Sequence, residues 1–148
     1  NVIMLIQFLF SFLSTIAFGV ITNVPRRTLL ASGLTGAVGW MIYILLKQAN
    51  FPLGFANFVA AFMIGCASIF FSRQKKIPML IFIVPSLVPL VPGGPAYLAV
   101  REIVLENLSQ GIHYMTVVVV TAGAIAAGFV MTSLVEKIVV NWENFQKK

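Results

Sequence analysis

The length of the apolar runs constrains this chain more than any other feature. Five such runs occur, at residues 2–21, 29–46, 53–71, 77–91 and 115–135. At about 1.5 Å of rise per residue, roughly 20 helical residues cover the hydrocarbon core of a bilayer, so four of the runs are long enough to cross it. Because lipid offers no hydrogen-bond partners, a spanning backbone must pair internally, as an α-helix does. The sequence therefore predicts an all-α integral membrane bundle.

Composition also indicates a membrane protein. The 148 residues are 59% hydrophobic and 9% charged, which leaves too little polar surface to cover a water-soluble globule of this size. The basic residues form no stripe interleaved with exposed aromatic residues, so the pattern does not indicate nucleic-acid binding. No polar linker is long enough to separate soluble domains, and we expect residues 1–148 to form a single transmembrane domain.

Residue types that support catalysis or metal binding are sparse. Cys66 is the only cysteine, which excludes an internal disulfide and a cysteine-rich metal site, and we interpret it as a packing residue. The sequence contains no cluster of metal ligands, no phosphate-binding loop and no nucleophile triad. We therefore predict neither an enzyme nor a cofactor.

The fourth apolar run is interrupted by prolines and glycines. It holds only 15 residues before Pro92-Gly93-Gly94-Pro95, too few to cross the membrane as one helix. Residues 96–110 read as a second helix that completes the crossing, with Pro95 in its first turn and Gly111 at its end. We therefore expect five transmembrane segments, the fourth of them discontinuous. An ordinary exterior turn at residues 92–95 is the competing interpretation.

The interruption also predicts a binding site for an anion. Pro89 and Pro92 lack the amide hydrogen that pairs with the carbonyl four residues earlier, so free carbonyls are expected at Pro85 and Val88. Beyond Gly93, the amides of the next helix carry a partial positive charge that favours a carboxylate. Broken helices of this kind hold substrates near the midplane in some transporters.

Side chains beside the interruption extend this candidate site. Gly93 and Gly94 allow a ligand to approach the backbone closely. Tyr97 and Arg101 follow at the i and i+4 positions of one helical face, where a hydroxyl and a guanidinium suit a carboxylate. If residues 92–95 are an exterior turn, Arg101 lies among the lipid headgroups instead.

Polar and small residues line single faces of other helices. Gln7, Ser11 and Ser14 share a face of the first helix, which points away from lipid and is a candidate wall of a translocation path. Glycines and alanines recur at short helical spacing in the second and fifth runs, as is typical of closely packed membrane helices. Packing within the bundle is the alternative interpretation for all of these stripes.

Two glutamates are candidates for proton coupling. Glu102 and Glu106 stand four residues apart and would repel if both were ionised in apolar surroundings, so one of them is a candidate to bind a proton. The alternative is that both face water.

The basic residues predict an orientation. Eight of ten fall on one side of a five-span topology: Arg26, Arg27, Arg73, Lys75, Lys76, Lys137, Lys147 and Lys148. Only Lys47 and Arg101 fall on the other side. By the positive-inside rule, the N-terminus is outside and the C-terminus is cytoplasmic.

Three segments resemble the threonine/serine exporter superfamily. They are residues 23–27 (NVPRR), residues 31–40 (ASGLTGAVGW) and, most specifically, residues 85–94 (PSLVPLVPGG). The resemblance runs over nearly the whole chain. It is to the small-subunit type, the five-helix subunit of a split exporter.

This resemblance implies a bacterial inner-membrane exporter of small carboxylates. It implies threonine and serine as substrates in some relatives, a dicarboxylate such as succinate in others, and drive by the proton gradient. It also implies a larger membrane subunit as the partner, while a homo-oligomer stays open. The alternative function is a non-transporting assembly subunit whose glycine stripes serve oligomer packing.

Overall fold

The computed structural model describes residues 2–146, which form helices and the short links between them, without a strand. A 3₁₀ turn, Val88–Leu90, separates the fourth α-helix from the fifth. The α-helices are α1 (Val2–Ile21), α2 (Arg26–Gln48), α3 (Leu53–Lys75), α4 (Leu80–Leu87), α5 (Gly93–Val104) and α6 (Leu108–Gln146). Four of them are individually long and apolar enough to cross a membrane, and α4 with the 3₁₀ turn and α5 forms a pair, bent by 48°, that makes a fifth where the pair is one span. The predicted all-α membrane bundle with a discontinuous fourth segment is confirmed.

Four links between helices share one backbone geometry. The φ values are 56° at Asn23, 61° at Asn50, 54° at Lys76 and 62° at Glu106, the left-handed conformation that commonly closes a helix. At the first of these links, the Val24 amide donates to the Gly19 carbonyl five residues earlier, at 3.0 Å. This pairing uses carbonyls that the end of a helix leaves free, and it lets the next helix begin within a few residues.

The link at Glu106 falls where we expected continuous helix. The prediction of one helix over 96–110 was wrong, because α5 ends at Val104 and the Asn107 amide closes a turn onto a carbonyl five residues earlier, at 2.9 Å. Gly111 does not end this helix but lies inside α6. A Cβ there would stand 2.6 Å from the Ile103 side chain, so this glycine allows α5 and α6 to pack closely.

The glycines of α2 make close contacts with several neighbouring helices. A Cβ added to any of them would overlap a neighbouring side chain: Phe12 of α1 at Gly33, Thr15 of α1 at Gly36 and Ile64 of α3 at Gly39. Small residues of this kind let helix backbones approach in a membrane, where dispersion contacts rather than water exclusion hold helices together. These glycines therefore serve the packing of helices within this chain.

Glycines also allow close packing between α3 and α6, and these two helices run in the same direction. A Cβ at Gly128 would lie 2.8 Å from the Phe58 carbonyl oxygen, and a Cβ at Gly65 would overlap the Thr132 side chain. Thr132 is fully buried, and its hydroxyl donates to the Gly128 carbonyl at 3.1 Å. This interface is the most extensive one in the bundle.

α6 is longer than a bilayer crossing requires. Its 39 residues extend for about 58 Å, roughly twice the thickness of a hydrocarbon core. Near its end, Glu143 pairs with Arg73 in the last turn of α3, so this part of α6 lies level with the basic end of α3. Lys147 and Lys148, which the orientation prediction included, lie outside the described residues.

Replacing Gly65 tests the α3–α6 contact. Gly65→Ala should lower the thermal unfolding temperature in detergent, because overpacking of this kind costs about 1–3 kcal/mol. Gly123→Ala is the matched control, since a Cβ there meets no atom within 4 Å. Adding Thr132→Ala to the Gly65 variant should restore part of the loss. Equal unfolding temperatures for the two glycine variants would contradict the close contact.

Candidate functional site

Ser86 anchors the broken span to α2 just before the break. Its side chain is fully buried, and its hydroxyl lies 3.0 Å from the Ser32 carbonyl oxygen and 2.6 Å from the Phe82 carbonyl oxygen. Phe82, also fully buried, stacks on Phe71 of α3 with ring centroids 6.1 Å apart. α4 is therefore held against both α2 and α3.

The 3₁₀ turn pairs the carbonyls that we expected to be free. The Val88 amide donates to the Pro85 carbonyl, and the Val91 amide donates to the Val88 carbonyl at 3.3 Å. The prediction of free carbonyls at Pro85 and Val88 was wrong for a geometric reason. Tightening the helix to bonds between residues three apart supplies donors where the prolines have none.

The start of α5 offers fewer free amides than the sequence predicted. The amides of Gly93 and Ala96 donate to the carbonyls of Val91 and Pro92, at 2.8 and 3.1 Å. Since the next residue after Gly94 is a proline, the Gly94 amide is the one left without a backbone partner in this first turn of the described chain. A Cβ at Gly94 would meet no atom within 4 Å, so this amide lies on an open surface.

A cavity of about 450 Å³ lies beside the break, between α1, α2 and the 3₁₀ turn. α1 provides most of the lining, α2 provides one residue and the turn provides Pro89. The lining residues are Ile6, Gln7, Phe10, Ser11, Ser14, Trp40 and Pro89. The structure thus brings the predicted polar face of the first helix together with one proline of the break.

The polar groups of this cavity are mainly hydrogen-bond acceptors. The hydroxyls of Ser11 and Ser14 donate to carbonyls of their own helix, those of Phe8 and Ser11, both at 3.0 Å. Their oxygen lone pairs remain available. The Oε1 atom of Gln7 is buried and accepts no hydrogen bond from any described residue. No lining residue is charged, so the cavity can orient a polar ligand but cannot neutralise an anion.

The cavity lies at the depth of the middle of the bundle. Ser11 is the tenth of 20 residues in α1, and Trp40 is the fifteenth of 23 in α2. Pro89 lines the same space, so the 3₁₀ turn shares that depth. A buried polar atom in this position is costly unless a ligand or another chain pairs with it.

The other predicted site residues lie outside the cavity. Pro92, Gly93 and Gly94 follow the turn on its open side. Tyr97 is 68% exposed, and the Arg101 guanidinium lies 3.5 Å from the Glu102 carboxylate with 52% of its side chain exposed. The structure therefore separates the predicted site into a polar groove on α1 and an exposed part on α5.

The two glutamates do not share a helical face. Glu102 lies in α5, where the Asn107 side-chain amide donates to its carboxylate at 3.1 Å, whereas Glu106 lies in the left-handed link. Their predicted proximity on one helix was wrong because α5 ends before Glu106. Residues 2–146 contain no group of three or more potential metal ligands.

Sequence reasoning missed Trp40 as a lining residue. Its ring packs at 5.1 Å from the Tyr43 ring and closes the α2 side of the cavity. The available signal was its position on one helical stripe of α2 with Ser32 and Gly36, for which the sequence favoured helix packing and left a polar wall open as the alternative.

Comparison with known proteins decides the family. The sequence profile of a family described as Threonine/Serine exporter, ThrE matches residues 7–135, which include the whole break and nearly all of the cavity lining. The chain belongs to this threonine/serine exporter family. The family is one of exporters, that is, of membrane transporters.

One relative of this exporter-family chain is an uncharacterized protein of Haemophilus influenzae. The two are 30% identical over 101 residues, which is 68% of this chain and 34% of the relative. The exporter-family chain thus spans about a third of the length of that relative. No solved structure matches this chain.

Ser86→Ala tests the anchor of the broken span. The variant should lose about 1 kcal/mol of stability, since it removes a buried hydrogen bond between helices. Ser133→Ala is the control, because the Ser133 hydroxyl is exposed and bonds only within α6. Thermal unfolding in detergent measures both. A Ser86 variant as stable as the control would show that the hydroxyl does not hold α4.

Proposed function

We propose that this exporter-family chain moves small carboxylates out of the cell as one subunit of a larger transporter. The substrates are threonine and serine, or a dicarboxylate such as succinate, and the proton gradient drives export. The observation that supports this proposal is the polar cavity at mid-bundle depth, where α1 meets the break. Its volume of about 450 Å³ suits a molecule of this size.

The cavity is proposed as the site that binds the polar groups of the substrate. A buried Gln7 Oε1 without a donor matches an amino or hydroxyl group, since both can donate a hydrogen bond. The lone pairs of Ser11 and Ser14 can accept from the same groups. Trp40 and Pro89 supply the apolar walls that fix the position of the ligand.

The open start of α5 is proposed as a second binding position nearer the outside. A carboxylate that leaves the cavity past Pro92 and Gly93 meets the unpaired Gly94 amide at the positive end of a helix. Tyr97 and Arg101 follow on exposed positions of α5. Alternating access would expose the cavity and this turn to opposite sides in sequence.

Proton coupling is proposed at the outer end of α5. Glu102 is the more sheltered carboxylate, with 17% of its side chain exposed, and Glu106 lies in the adjoining link. The cavity lining contains no ionisable group, so a proton that accompanies the substrate must bind outside it. In the proposed inner-membrane orientation, with the N-terminus outside, these glutamates face the external solution.

The assembly-subunit alternative keeps one observation in its favour. A cavity without an ionisable side chain cannot itself couple transport to protons, so export by this chain alone is not expected. The glycine stripes support this alternative less, because glycines of α2, α3 and α6 pack helices within the chain. Reconstitution of the whole transporter with and without this chain separates the two functions.

Gln7→Leu should lower export roughly tenfold, because one lost hydrogen bond to the substrate is worth about 1.4 kcal/mol. Efflux of radiolabelled threonine, serine and succinate from cells with the whole transporter measures this effect. Leu9→Met is the control, since Leu9 is 49% exposed on α1 and does not line the cavity. Normal efflux of all three acids by the Gln7 variant would remove the cavity from the path.

Gly94→Leu should abolish export while the protein still inserts and folds. The new side chain would cover the unpaired amide, yet its Cβ enters open space, so the bundle need not shift. Gly123→Leu is the matched control, because its Cβ also meets no atom within 4 Å and Gly123 does not line the cavity. Full export by the Gly94 variant at normal abundance would exclude this turn as a binding position.

A further inference from the structure

The cavity beside the break is open on one side. Ile6 and Phe10 form its rim on α1, and they are 45% and 68% exposed. α1 packs extensively on α2 but only lightly on α4 and the 3₁₀ turn. No described residue covers the space in front of the rim. The opening therefore faces outward from the bundle at mid-depth.

Lipid is a poor cover for this opening. Hydrocarbon chains supply no hydrogen-bond donor to the Gln7 Oε1 atom or to the serine oxygens beneath the rim. Polar residues within a membrane almost always face the interior of a bundle or a wet cavity. A polar groove that opens outward at mid-depth is thus typical of a surface that another helix covers.

The cavity also lacks a charge that its proposed substrate requires. A carboxylate in a water-poor site needs a compensating cation or several donors, and none of the seven lining residues is basic. Arg101 cannot fill this role in the present arrangement, because it lies on α5 beside Glu102, outside the cavity. The described lining therefore supplies no cationic side chain, and a neighbouring chain can supply one.

We propose that the α1 rim of the cavity is the docking surface for a membrane helix of a second exporter-family chain, different from this one, which presents a hydrogen-bond donor to the cavity. This inference rests on the proposed function and assigns its site to the interface between two subunits. The Haemophilus influenzae relative is consistent with it, since the match leaves about two thirds of that protein for further segments.

Photo-cross-linking from α1 tests the docking surface. Phe10 is replaced with p-benzoylphenylalanine in the whole transporter, and Ile6 is replaced likewise in a second variant. Leu9 provides the control position, because it is adjacent in sequence, 49% exposed and absent from the cavity rim. We expect a cross-linked product at Phe10 and Ile6, identified by mass spectrometry as another exporter-family chain, and none above background at Leu9.

Other products would overturn the inference. Cross-links to a second copy of this chain would assign the rim to a homo-oligomer, and cross-links to lipid alone would leave it uncovered. Equal yield at Leu9 and Phe10 would remove the specificity for the rim. Efflux assays on the same cells keep the two proposals apart: export with lipid-only cross-links sinks the docking surface alone, whereas a cross-linked partner without export of any acid sinks the proposed function alone.

Discussion

Every backbone polar group within the hydrocarbon must find its partner inside the protein, and the bundle depends on how the broken span meets this requirement. Pro85, Pro89 and Pro92 leave three positions without an amide donor in the middle of a segment that cannot obtain donors from lipid. The Val88–Leu90 turn recovers partners by shortening the bonding distance along the chain, and Ser86 adds a bond to a neighbouring helix. The break can therefore lie at mid-depth with the carbonyls of Pro85 and Val88 paired. Among the described residues, the buried side-chain atoms without a partner are Gln7 Oε1, which lines the cavity beside the break, and Ser32 Oγ.

Close helix packing accounts for the unpaired side chain of Gln7. Glycines on α2 and α3 bring the backbones of α1, α2, α3 and α6 together, and the buried hydroxyls between them bond mostly to carbonyls of their own helices. α1 contributes one face to this packed interior and leaves the adjoining face, with Gln7 at its edge, toward the break. The cavity is therefore a consequence of a bundle that is tightly closed around α2 and incomplete around α1. α5 likewise has one face packed on α6, whereas Tyr97 on α5 is exposed.

Apolar length and the positions of proline and glycine were sufficient to predict five crossings and the discontinuous fourth one, because both depend on local chemistry. The polar stripe on α1 was predictable for the same reason, since helical periodicity places Gln7 and Ser14 on one face. The boundary at Glu106 was not predictable, because a glutamate seldom adopts the left-handed conformation and only the completed turn stabilises it. Trp40 was missed because its role depends on which helix stands opposite, and that is set by packing between distant segments.

The uncharged lining of the cavity has a consequence for how a transporter of this kind can work. A site that bound a carboxylate with a permanent cation in this chain would hold the anion in every state of the cycle, and release would be slow. In the proposed arrangement, the hydrogen-bond acceptors lie on α1 and the neutralising charge lies on a separate part of the transporter. Such a site binds the carboxylate tightly only while the two parts are together. Movement of one part relative to the other would then weaken binding and open the path in the same step. In the structure Gln7 lines the cavity, whereas Arg101 lies outside it beside Glu102, so this chain does not bring the two side chains together.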